Sequence, residues 1–132
     1  MRIGISALGH TKLSHLTETV RKSFAELGND AVVVMGSPYS LGAYDFLIFM
    51  TEPKGLFGGL LASVPQQLAK QEGLIGKRCL AMVRKSGLRS AHTLRKFMEA
   101  LEHEGLVVVQ AELFADAKAA ARIARNAPLR RG

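Results

Sequence analysis

The chain has no tryptophan, one cysteine and two tyrosines among its 132 residues. A lone thiol, Cys79, excludes an internal disulfide framework and a zinc site built on several thiolates. No apolar run reaches the ~18 residues that a membrane-spanning helix needs. The opening Met1-Arg2-Ile3-Gly4-Ile5-Ser6 turns polar too soon for a secretory signal, so a cytoplasmic protein with no membrane role is expected. Internal repeats, low-complexity tracts and linkers are also missing. One domain over residues 1–127 is therefore expected, with a flexible basic tail at 128–132. Acidic residues are scarce in one half only. Residues 1–66 hold 5 basic and 5 acidic side chains, whereas residues 67–132 hold 13 and 6, so the whole excess of +7 lies in the second half. Such a surface attracts phosphorylated cofactors, acidic proteins or nucleic acid, or is simply a solvated face. The basic segments carry no interleaved aromatics, which argues against nucleic acid.

What is present is alternation. Five apolar runs, Arg2–Ser6, Ala31–Met35, Phe46–Met50, Cys79–Val83 and Leu106–Val109, are separated by polar or helical stretches. Several of the runs are continuous rather than alternating, the pattern of strands buried on both faces of a parallel sheet. Leu13, Leu16, Val20, Phe24 and Leu27 form one helical stripe, which Gly28-Asn29 stops. A second helix is expected from Ser63 to Glu72, with Ser63 as its cap, Pro65 in its first turn and Leu68 inward. A third runs from about Ser90 to His103, with Ala91, Leu94, Phe97, Met98 and Leu101 inward, and an Ala-rich fourth from about Asp116 to Asn126. The turn-rich segment from Gly36 to Tyr44 leaves room for at most one helical turn. Together these predict an α/β, doubly wound sandwich. Ligands of such sheets bind beyond the carboxyl ends of the strands, where the strand order reverses.

Side chains that would do chemistry are few. No carboxylate pair suggests hydrolysis, and no Ser-His-Asp or Cys-His arrangement can be argued from spacing. His15, His92 and His103 fall on helices without metal-ligand spacing, and no metal site is expected. Cys79 lies inside an apolar strand with nothing to lower its pKa, so it reads as a core residue. Whether the chain is an enzyme stays open. The first strand runs into Ser6-Ala7-Leu8-Gly9-His10-Thr11 and then a helix. A phosphate there would meet free backbone N–H groups and the positive end of the helix dipole, with the Ser6 and Thr11 hydroxyls as further donors. The bland alternative is a helix start capped by Thr11, with His10 an exposed loop residue.

That order resembles the phosphate loop of the flavodoxin-like family, S/T-x-T-G-x-T. Ser6, Gly9 and Thr11 match, Leu8 replaces a hydroxyl residue and His10 stands where the family has Asn. Tyr44-Asp45 followed by an apolar strand, and Gly76-Lys77 followed by another, are similar to the family's third and fourth strands. The resemblance covers nearly the whole chain and implies a five-stranded parallel sheet of order 2-1-3-4-5. It also implies FMN, with the phosphate on Ser6, Leu8, Gly9, His10 and Thr11. The ring would lie between a loop holding Glu52, Pro53, Lys54, Gly55 and Phe57 and a loop holding Lys85, Ser86, Gly87 and Arg89. Phe57 is the only aromatic in the first ring loop, Tyr39 could reach in from a neighbouring one, and the second ring loop has none. Flavodoxins are acidic whereas this chain is basic, with Arg84, Lys85 and Arg89 at the second ring loop. The resemblance implies electron transfer or small-scale redox chemistry with a redox or acidic protein partner. Two other functions stay open: a flavin-free module acting through protein contacts, and an NAD(P)H-dependent FMN or quinone reductase. No apolar surface stripe demands a dimer, so a monomer or weak homodimer is expected.

Overall fold

A strand whose every residue is apolar must be covered on both faces, and this chain covers its strands by placing its first and last helices on one side of the sheet and the two between them on the other. The computed structural model describes residues 1–9, 13–34 and 41–129. Its elements are β1 (Arg2–Ala7), α1 (Ser14–Glu26), β2 (Asp30–Val33), a 3-10 turn (Leu41–Ala43), β3 (Phe46–Thr51), α2 (Ser63–Ala69), β4 (Arg78–Arg84), α3 (Ser90–His103), β5 (Val107–Phe114) and α4 (Ala117–Arg125). All neighbouring strands pair in parallel, in the order β2-β1-β3-β4-β5. This is the expected α/β, doubly wound sheet. The strand order reverses between β1 and β3.

The two-residue period of the strands sorts their side chains into two cores. Ile3 and Ile5 of β1, Phe46, Ile48 and Met50 of β3, and Leu80 and Met82 of β4 face α1 and α4. Leu47 and Phe49 of β3, and Cys79, Ala81 and Val83 of β4, face α2, α3 and the 3-10 turn. Every residue of β3 is buried. Full burial of one large apolar side chain is worth about 1.5–3 kcal/mol, so this central strand anchors both layers. Burial pushes the Cys79 thiol up to about 12, helped by the negative charge of Glu102. At neutral pH it is a protonated core group, as its strand position implied.

Several local expectations are corrected. β5 extends to Phe114, well past Val109, because Gln110 to Phe114 go on pairing with β4, and Val109 is an extra residue just before them: Cys79 pairs with Val108 and Leu80 with Gln110. The bulge hides the strand's alternation from a reader of the sequence. β2 is described as Asp30–Val33, and Met35 lies outside the described residues. Ser63 does not cap α2. The N-cap is Ala62, without a side-chain bond, and the helix ends at Ala69. On α3 the buried side chains are Thr93, Phe97 and Leu101, while Ala91 is exposed. Leu27 is 54% exposed because α1 has already ended at Glu26. The segment expected as a tail begins with two tethered residues: the Arg78 guanidinium donates to the carbonyls of Pro128 and Leu129, at 3.1 and 2.9 Å.

Candidate functional site

Strand register determines which loops share a surface. Ala7 pairs with Met50, Thr51 with Val83 and Arg84 with Phe114, so β1, β3, β4 and β5 end level with one another. The segments that follow β1, β3 and β4 therefore lie along one edge, beside the reversal of strand order.

Ser6 sits within β1, half-buried and opposite Phe49, so it belongs to the strand rather than to the loop. Leu8 continues the sheet. Its N–H donates to Met50 at 2.8 Å, and its carbonyl accepts the hydroxyl of Thr51, fully buried, at 2.8 Å. The Gly9 N–H donates to Oε1 of Gln67 on α2 at 2.6 Å. A side-chain amide oxygen thus holds the position an anion's oxygen would take. His10, Thr11 and Tyr39 lie outside the described residues. α1 then begins behind Leu13, and no described side chain caps it. The first-turn N–H groups of a helix are left without intrahelical acceptors, and the dipole adds partial positive charge there.

The two loops beyond β3 and β4 meet directly. The loop after β3 closes on itself where the Lys54 N–H donates to the Gly59 carbonyl at 2.9 Å. The Leu88 N–H donates to the Leu56 carbonyl at 2.6 Å, which joins this loop to the next. Glycine makes that approach possible. A Cβ on Gly87 would lie 2.5 Å from the Leu56 oxygen, one on Gly58 would lie 2.8 Å from the Leu88 oxygen, and both residues have positive φ. Thr93, fully buried on α3, adds a second tie by accepting the Gly59 N–H at 2.9 Å. Its own hydroxyl proton faces the Gly59 and Arg89 carbonyls, each at 3.4 Å. Among the described residues Arg89 is the only non-glycine with positive φ, +63°. That left-handed conformation costs a non-glycine residue about 1–2 kcal/mol, and here the Thr93 N–H donating to the Arg89 carbonyl at 3.1 Å helps to hold it.

Of the remaining ring-loop residues, Pro53 is buried and Glu52 half-buried, whereas Lys54, Gly55, Lys85, Ser86, Gly87 and Arg89 are exposed. The Lys85 N–H is tied to the Phe114 carbonyl at 2.8 Å and the Ser86 N–H to Ser90 Oγ at 3.3 Å. Phe57 is 71% exposed, with Leu56 at 62% and Leu88 at 55% beside it. The side chains of Lys54, Arg84, Lys85 and Arg89 make no ion pair with another described residue. Thr93 and Gln67 are the residues that sequence reasoning missed. Only Thr93 had a legible signal, four positions before Phe97 and eight before Leu101 on the inward stripe of α3.

The arrangement suits FMN unequally at its two ends. Uncapped α1 and the exchangeable Gly9–Gln67 bond suit a phosphate. A flat ring between the two loops does not fit while Leu88 is bonded to Leu56, so it would require the loops to part. Among the described residues no helix is long and apolar enough to cross a membrane.

No family model matches the chain, and no curated protein matches it in sequence. Solved structures do. Oxidised flavodoxin 2 from Bacillus cereus superposes with a TM-score of 0.67 at 17% identity, covering 94% of this chain and 95% of that one. Two-electron reduced flavodoxin from Megasphaera elsdenii gives 0.65 at 16% identity, over 96% and 100%. A flavodoxin from Streptococcus pneumoniae gives 0.65 at 14% identity, over 93% and 94%. The chain has the flavodoxin-like fold.

Proposed function

We propose that this protein binds flavin mononucleotide at the carboxyl edge of its sheet and serves as an electron carrier in the cytoplasm. The observation that carries this reading is the start of α1, which no described side chain caps and which follows β1 at the reversal point of a flavodoxin-like sheet. A phosphate would take the first-turn N–H groups of α1 and compete with Gln67 for the N–H of Gly9, with His10 and Thr11 completing the cradle, whereas Ser6 within β1 and Leu8, whose N–H is spent on Met50, stand outside it. Once the Leu88–Leu56 bond is released and the two loops part, Glu52, Pro53, Gly55, Phe57, Ser86 and Gly87 would border the ring. Lys54, Lys85 and Arg89 would offset its negative charge when it is reduced. Bound FMN supplies one- and two-electron transfer, and the side chains supply affinity, orientation and tuning. Titration of the purified protein into FMN, followed by flavin fluorescence, tests the reading. Quenching with a saturable endpoint is expected. Gln67→Glu sets a fixed carboxylate against the phosphate and weakens binding about tenfold, ~1.4 kcal/mol. A flat titration with no shift of the visible spectrum overturns the proposal.

One observation favours a second reading, a flavin-free module that works through protein contacts. The Leu88–Leu56 bond and the glycine contacts at 58 and 87 fill the space between the ring loops. This reading expects the flat titration from a fully folded protein.

A further inference from the structure

Exposed large apolar side chains are ordinary on a protein surface when they stand singly, and two of those of this protein, Met1 and Ile75, line the cleft at the amino ends of the strands, away from the candidate site. Three do not stand singly. Leu56, Phe57 and Leu88 adjoin one another through the Leu88–Leu56 backbone bond and project at 62, 71 and 55% exposure. Cations border them: Lys54 in the same loop, Arg89 next to Leu88, and Arg84 and Lys85 just before Gly87. None of the four makes an ion pair with another described residue. The carboxylates at this edge keep their charge but pair with none of the four. Asp116 accepts from the Ala119 N–H as the cap of α4, Glu112 accepts from Gln110, and Glu52 is half-buried. Lys118 in the first turn of α4 adds another exposed positive charge.

An apolar centre inside a charged, wet rim is the anatomy of a protein interface, and anchors of this kind carry most of the binding energy. The backbone under the patch is fixed by the Thr93–Gly59 and Leu88–Leu56 bonds, so little ordering cost opposes association. We infer that Leu56, Phe57 and Leu88, ringed by Lys54, Arg84, Lys85 and Arg89, form a docking surface for an acidic protein whose contact face carries carboxylates around an apolar patch. Unpaired cations at the rim steer such a partner and repel a basic one. The patch belongs to the loops as joined by the Leu88–Leu56 bond and shares Lys54, Phe57, Lys85 and Arg89 with the ring site, so the inference rests on the second, flavin-free reading above.

Amide NMR of the whole protein with a plant-type ferredoxin, an acidic iron–sulfur protein, as probe tests this at low salt, with cytochrome c as the basic control. Ferredoxin is expected to shift the amides of residues 54–59 and 84–89, and cytochrome c to leave them unmoved. Phe57→Ser and Leu88→Ser each weaken ferredoxin binding at least tenfold, and Arg84→Glu with Lys85→Glu abolishes it. All of these positions are at the surface, and an unchanged spectrum elsewhere verifies the fold. Any of four results overturns the inference: no localised shifts with ferredoxin; shifts along Lys118, Arg122 and Arg125 instead; poly(dT) binding the same face and indifferent to Phe57→Ser; or the same shifts appearing with protein concentration alone. Repeating the titration with excess FMN separates the two proposals, since ferredoxin mapping to this face without any flavin quenching would sustain the docking surface and remove the cofactor.

Discussion

The two ends of the sheet both carry basic side chains and use them in opposite ways. At the amino ends of the strands the cations are engaged within the protein. Lys77 Nζ donates to the Tyr44 carbonyl at 2.8 Å, Arg78 ties down Pro128 and Leu129 and lies over the Phe46 ring, and Arg2 faces Asp30 and stands over the Tyr44 ring. Lys77 and Arg78 line a cleft of about 500 Å³ beside Asp45, and both donate to the chain's own carbonyls. At the carboxyl ends, Lys54, Arg84, Lys85 and Arg89 are exposed or half-buried and form no ion pair with another described residue, and the backbone beneath them is held by glycine contacts and a threonine instead. Charge that serves stability is thus kept apart from charge available to a ligand. A cation held on the chain's own carbonyls keeps its charge but is fixed in place with part of its donors used, whereas one clear of partners can turn all of its donors to a ligand.

The largest effect that would sharpen this contrast lies in the loops. Gly87→Val forces a branched residue to a positive φ against the Leu56 carbonyl, and urea unfolding is expected to show a loss of about 3 kcal/mol. Amide exchange of residues 54–59 should quicken in the same variant. A smaller loss, about 2 kcal/mol, is expected for Arg78→Ala, which removes two charge-assisted bonds from the C-terminal segment. An unchanged midpoint there would break the contrast, since it would make the amino-edge cations as dispensable as the others. Least of all, Arg84→Gln with Lys85→Gln should move stability by no more than about 0.5 kcal/mol, because neither side chain has an internal ion partner. A clear destabilisation in thermal melts would show that the carboxyl-edge cations are structural after all.

How far the sequence could be read depended on how local each feature is. The strands Phe46–Thr51 and Arg78–Arg84 and the helix Ser90–His103 announce themselves through their own residues. The far half of β5 does not, because the bulge at Val109 shifts its period and most residues of this edge strand are only half-buried on either face. The ring-loop glycines were visible as a composition, and their use was not. Nothing in Gly58 or Gly87 shows that each exists to let the other's loop approach. Leu8 was read as a lost hydroxyl in a phosphate loop, yet it is buried at 4% and extends β1 along Met50 and Thr51.

The sequence by itself determined the fold: five apolar strands alternating with helices that carry one apolar stripe can bury their surface only as a parallel sheet between two helical layers. Burial of an element is encoded within that element, at periods of two or 3.6 residues. Only the tertiary structure decided that Gln67 occupies the N–H of Gly9, that Thr93 clamps Gly59, and that Arg78 is a tether while Arg89 is not. Those relations join residues 58, 34 and 51 positions apart in the chain, and their geometry follows from strand register and loop closure rather than from any local pattern.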